Sequence, residues 1–123
     1  QSIANDKSID VILSPGDMSY ANASPRDCQT NHIKWESFFE RMEFVLRRIP
    51  IQTCPGNHEI ETDALSREVF VAYENYFHMP QVKKVEMSPS TYPFYDYEYG
   101  NAFYSYTYGA ARIISLSSHS STS

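Results

Sequence analysis

The chain has 123 residues, enough for one domain with a modest core. Its composition, 41% hydrophobic and 20% charged, is globular and excludes a disordered chain. A net charge of −5 leaves no basic stripe for a phosphate backbone, which argues against a general nucleic-acid binder, and no apolar run is long enough to span a membrane.

The segment DVILS, residues 10–14, is a short β-branched apolar run that stops at Pro15-Gly16. It reads as a strand buried on both faces of an α/β sheet. A polar loop follows to about residue 30. Residues 33–49 then place Trp35, Phe38, Phe39, Met42, Val45, Leu46 and Ile49 at helical spacing, with Glu36, Glu40, Arg41, Glu43 and Arg47 on the other side. Pro50 closes this helix, and Arg47 and Arg48 suit its C-terminal end.

A second strand is predicted over 51–54, running into Pro55-Gly56. Strand, helix, strand implies a parallel crossover unit. A second helix is predicted over 63–77, with Leu65, Val69, Phe70, Tyr73, Tyr76 and Phe77 near one face and Pro80 as the stop. Residues 81–90 read as an irregular loop. From Tyr92 the period changes to two: Tyr95, Tyr97 and Tyr99 alternate with acids, and Tyr104, Tyr106 and Tyr108 repeat the pattern before a turn at Gly109. These tyrosines suit a pleated, half-buried surface better than a binding platform for bases or sugars.

The first strand runs into SPGDMSY and the second into CPGNHE. Ligands of parallel sheets gather beyond the carboxyl ends of the strands, so neighbouring strands would bring Asp17, Tyr20, Asn57 and His58 to one crevice. A carboxylate can bridge two cations, an amide oxygen ligates without adding charge, and a phenolate holds a hard, high-valent ion. An imidazole can ligate, or can hydrogen-bond a bound anion. Each motif alone is ordinary turn chemistry. Their combination on one strand-helix-strand frame is more specific. His32, His78 and His119 are assigned no role.

GDMSYAN followed by GNHEIE resembles the calcineurin-like binuclear metallophosphoesterases, and Tyr20 narrows the resemblance to the purple acid phosphatases. The segments FVAYENYFHMP and NAFYSYTYGAARIISLSS are also similar, so the likeness covers about residues 10–118. It implies a fold class of α/β, part of a β-sandwich flanked by helices: strand, helix, strand, helix, then a hairpin-like strand pair. It implies Asp17 bridging two metals, Tyr20 binding iron(III) as a phenolate, and Asn57 ligating a divalent zinc, manganese or iron. His58 would contact the phosphate and assist the leaving group, and Glu59 would orient its neighbours. The implied substrate is a small phosphate monoester, hydrolysed by in-line attack of a water made acidic between the metals.

The resemblance departs in two respects. Asn22 stands where the family commonly has an aspartate, at a position that is not a ligand. The family's first metal-binding aspartate and its later histidine ligands have no counterpart between Gln1 and Ser123. The chain, with no initiating methionine or signal peptide and a serine-rich tail, therefore reads as a partial catalytic domain, truncated at both ends and inactive by itself. A nucleotidase, phosphodiesterase or protein phosphatase is the alternative enzyme. Protein phosphatases carry an aspartate-arginine-glycine run where this chain has Ser19-Tyr20-Ala21, which makes Tyr20 the discriminator. A non-catalytic relative is the third reading. Secretion, or a lysosomal or vacuolar location, is implied by the family, with the acceptor triplet at Asn22 for a glycan in support. Cys28 and Cys54 are too few for a disulfide framework; their mutual pairing, burial as thiols, or pairing elsewhere stays open.

Overall fold

The computed structural model describes residues 3–22, 29–80 and 100–119. Strand β1 (Ile12–Ser14) and strand β2 (Ile51–Thr53) pair in parallel, with Ile12 opposite Ile51, Leu13 opposite Gln52 and Ser14 opposite Thr53. The pairing is extended at both ends, by Ile12 N–H to the Pro50 carbonyl at 2.9 Å and Cys54 N–H to the Ser14 carbonyl at 3.3 Å. Because the strands run the same way and in register, the two Pro-Gly loops leave the sheet side by side. Helix α1 (His32–Leu46) makes the crossover.

The apolar side of α1 is anchored by Trp35, which is fully buried. Its ring packs against Phe39 at 6.1 Å, Tyr76 at 5.2 Å and Phe77 at 6.0 Å between centroids. Helix α2 (Val71–Tyr76) supplies the facing wall, with Ala72 and Tyr73 buried. Hairpin β3 (Tyr104–Tyr108) and β4 (Ala111–Ser115) is antiparallel, with Tyr104 opposite Ser115 and Tyr108 opposite Ala111. It forms a separate two-stranded sheet, tied to the end of β2 by Tyr104, whose hydroxyl donates to the Thr53 carbonyl at 2.8 Å; Tyr73 of α2 donates to the same carbonyl at 3.1 Å. The mixed α/β class and the order of elements are those expected.

Three expectations change. The second helix is six residues long rather than fifteen. Asp63 accepts from the Leu65 and Ser66 N–H groups at 3.0 and 2.7 Å, which makes a local turn. Arg67 and Phe70 then sit at φ of 64° and 62°, in the left-handed region where no α-helix continues. Leu65, predicted on the buried face, is 95% exposed as a result. Strand β1 is not buried on both faces: Leu13 is 57% exposed and lines an open recess together with Ile113 and Ile114 of β4. The tyrosines of β3 grade from buried Tyr104 through half-buried Tyr106 to exposed Tyr108, so Tyr104 is a core residue. Tyr92, Tyr95, Tyr97, Tyr99, the 81–90 loop and Cys28 lie outside the described residues, and so does any Cys28–Cys54 pairing.

Candidate active site

Beyond Ser14 and Thr53 the two loops touch backbone to backbone, and glycine makes the contact possible. A Cβ on Gly16 would overlap the Gly56 nitrogen and lie 2.6 Å from its Cα. A Cβ on Gly56 would overlap the Asp17 carboxylate and lie 2.6 Å from the Asp17 nitrogen. Gly16 also sits at φ 92°, where a side chain is strained whatever the space.

Glu59 cements the contact. It is fully buried in the 3-10 turn Asn57–Glu59, and its carboxylate accepts from three backbone donors on both loops. Oε2 takes the N–H groups of Asp17 at 2.7 Å and Gly56 at 2.8 Å, and Oε1 takes that of Met18 at 2.8 Å. The Asp17 carboxylate answers across the gap, accepting from the His58 N–H at 3.1 Å. Each acidic side chain thus closes the other loop. Three charge-assisted bonds satisfy a buried carboxylate that would otherwise be costly.

This network holds strain. Asp17 and Tyr20 adopt φ of 54° and 52°, left-handed values that cost a non-glycine residue about 1–3 kcal/mol each. Strain of this kind persists where surroundings over-determine it. Tyr20 is fixed by Lys34, whose Nζ donates to the Tyr20 carbonyl at 2.7 Å, and its ring lies 4.1 Å from the His58 ring. Tyr20 remains 49% exposed. His58 is half-buried, and its Nδ1 faces the Asn22 amide oxygen at 3.0 Å. An oxygen accepts only, so Nδ1–H is the donor and Nε2 is the nitrogen left for chemistry.

The structure therefore brings together Asp17, Tyr20, Asn22, His58 and Glu59. Asn57 begins the 3-10 turn beside them and is exposed. The donors offered are a carboxylate, a phenol and an amide, oxygen ligands that suit hard cations. They amount to one side of a coordination shell: among the described residues no three of His, Cys, Asp and Glu converge as a metal cluster.

Sequence reasoning missed three partners of the site. Asn22, read as a bystander or glycan acceptor, orients His58. Lys34 reaches back to Tyr20. Glu61 is 1% exposed and accepts from the Trp35 indole N–H on both oxygens, at 3.0 and 3.1 Å. Burial pushes its carboxyl up to about 7, with the Glu59 charge adding to the effect and the Trp35 and Thr30 hydrogen bonds opposing it. The only sequence signal was spacing, since Asn22 and Glu61 each stand two residues beyond a residue singled out. Burial also raises the Cys54 thiol, which is a poor thiolate nucleophile in consequence.

A family model for calcineurin-like phosphoesterases matches residues 1–120. The chain belongs to that family. Among curated proteins it is 32% identical over 91 residues to purple acid phosphatase 22 of Arabidopsis thaliana, a match spanning 73% of this chain and 19% of that protein. Purple acid phosphatase 21 of the same plant is 32% identical over 89 residues, covering 72% and 19%. Purple acid phosphatase 15 is 32% identical over 87 residues, covering 58% and 16%. The chain thus spans about a fifth of the length of the curated relatives it matches.

Proposed function

We propose that this chain is part of the catalytic domain of a purple acid phosphatase-type enzyme that hydrolyses small phosphate monoesters. The observation that carries the reading is the pair of loops cross-bonded through Glu59, with His58 in contact with both Asp17 and Tyr20. Asp17 would bridge two metals, Tyr20 would bind iron(III) and Asn57 a divalent zinc, manganese or iron. Bound there, the cations would neutralise the ester's charge and acidify a water. They would also let an acidic protein hold an anion. His58, its Nδ1 committed to Asn22, would present Nε2 to the phosphate and its leaving group. Glu59 would hold both loops at fixed separation without touching the ligand.

Three oxygen donors are too few to fix two cations, so the 123 residues alone would bind metal weakly and turn over no substrate. Secretion or a vacuolar or lysosomal location belongs to the same reading. Asn22 keeps its Oδ1 on His58, and a glycan would take its Nδ2. The test is hydrolysis of p-nitrophenyl phosphate and bis(p-nitrophenyl) phosphate by the longer natural protein, with the 123-residue chain assayed in parallel. Monoester turnover by the longer protein alone is expected. A preference for the diester, or full activity in the short chain, would overturn the reading.

A further inference from the structure

Beside the Asp17–Tyr20 loop lies a cavity of about 380 Å³. Ser19 contributes from the loop, and Lys34, Ser37, Phe38, Arg41 and Met42 from α1. The five helical residues fall at i, i+3, i+4, i+7 and i+8, which is one face of the helix. Glu36, Glu40 and Glu43 fall on the opposite face. The cavity therefore gathers two cations and two hydroxyls over an apolar floor, with no carboxylate among its described lining residues.

That charge is available. Among the described residues Arg41 has no hydrogen-bond or ion-pair partner. Lys34 spends one of its three N–H donors on the Tyr20 carbonyl and keeps two. An unpaired arginine in a chain of net charge −5, lining a recess with no acid among its described residues, matches the planar fork that phosphate recognition uses. The Lys34 bond ties a lining residue of the recess to the backbone of Tyr20. Three residues from Asp17 to Tyr20 span at most about 10 Å of chain.

We infer that this cavity is an anion subsite for a second phosphate of the substrate, selecting small esters that carry two or more phosphate groups. The inference rests on the phosphoesterase reading for the first phosphate; anion binding by the cavity stands without it. Ser19 and Ser37 would donate to the second phosphate, Arg41 would grip it bidentately, and Phe38 and Met42 would pack under the carbon skeleton.

The decisive experiment is calorimetric titration of the metal-free chain with tripolyphosphate and with orthophosphate, in wild type, Arg41→Gln and Arg47→Gln. Arg47 is an exposed cation beyond the cavity and pairs with Glu43 at 3.5 Å. Saturable tripolyphosphate binding is expected, weakened about tenfold in Arg41→Gln and little changed in Arg47→Gln. Equal weakening in the two variants would mean diffuse attraction, and absence of saturable binding would mean no subsite; either overturns the proposal. A second arm measures kcat/KM of the metal-loaded longer protein for glucose bisphosphate and glucose monophosphate. Arg41→Gln is expected to raise KM for the bisphosphate alone, leaving kcat in place. Should neither ester be hydrolysed, the phosphoesterase reading fails while the titration still decides the cavity.

Discussion

Glu59→Gln is the sharpest perturbation of the loop contact, because it keeps the shape and removes the charge. The carboxylate divides its work unequally: Oε2 serves Asp17 and Gly56, Oε1 serves Met18. A glutamine can keep its oxygen at the two-bond position. Its NH2 then faces the Met18 N–H, donor against donor, and that bond is lost with its partner still buried. The two surviving bonds become neutral. Hydrogen bonds to a charged acceptor contribute about 1.5–3 kcal/mol each and neutral ones about 1, so losing one and weakening two by about 0.5–2 each should cost roughly 2.5–7 kcal/mol. Glu59→Ala orphans all three donors and should cost roughly 4.5–9 kcal/mol. Against about 5–15 kcal/mol of total stability, either loss is large. Trp35 is the only tryptophan and is fully buried, so its fluorescence reports unfolding in urea. A Glu59→Gln chain within about 0.5 kcal/mol of wild type would refute the reasoning, since surface changes are that small.

Other consequences are independent of Glu59. Glu61 favours its neutral form in the fold, so its contribution is intact below about pH 4.5 and declines as pH rises to about 7. At 1.36 kcal/mol per pH unit the loss is roughly 3 kcal/mol, and urea midpoints between pH 4 and 8 should fall in wild type and flatten in Glu61→Gln. Gly16→Ala forces a Cβ into the Gly56 backbone at a left-handed φ, and should cost about 3 kcal/mol or more in the same urea assay. Asn22→Ala releases His58 Nδ1 and should lower kcat/KM of the longer protein about tenfold in steady-state kinetics. Asn22→Asp, which keeps an acceptor oxygen at that position, should restore it.

How far these features were legible depends on how far apart the interacting residues lie in the chain. Helix α1 was readable because Trp35, Phe38, Phe39 and Met42 declare a face within three turns. The two strands and their loops were readable because Pro-Gly punctuates both at the same place. Hairpin β3–β4 followed from alternation and the turn at Gly109. The start of α2 was not readable: hydrophobic spacing over 63–77 is helical, and Asp63 overrode it with a local turn that Arg67 and Phe70 completed in the left-handed region. The site was legible in its residue types and not in its mechanics. Glu59 and Glu61 look alike in sequence. One bonds backbone groups 41 and 42 positions away, the other an indole 26 positions away, and no local pattern separates those fates. Asn22 shows the same limit, since its partner His58 is 36 residues on.

The central claim is that the two Pro-Gly loops form one side of a binuclear metal site with Tyr20 as the iron(III) ligand. Metal content and visible absorption of the longer natural protein, wild type and Tyr20→Phe, test it most directly. The account predicts two metals per chain with a violet phenolate band in wild type, and loss of that band in Tyr20→Phe. A violet band that survives Tyr20→Phe, or a fully active wild-type protein with no iron and no colour, would contradict it.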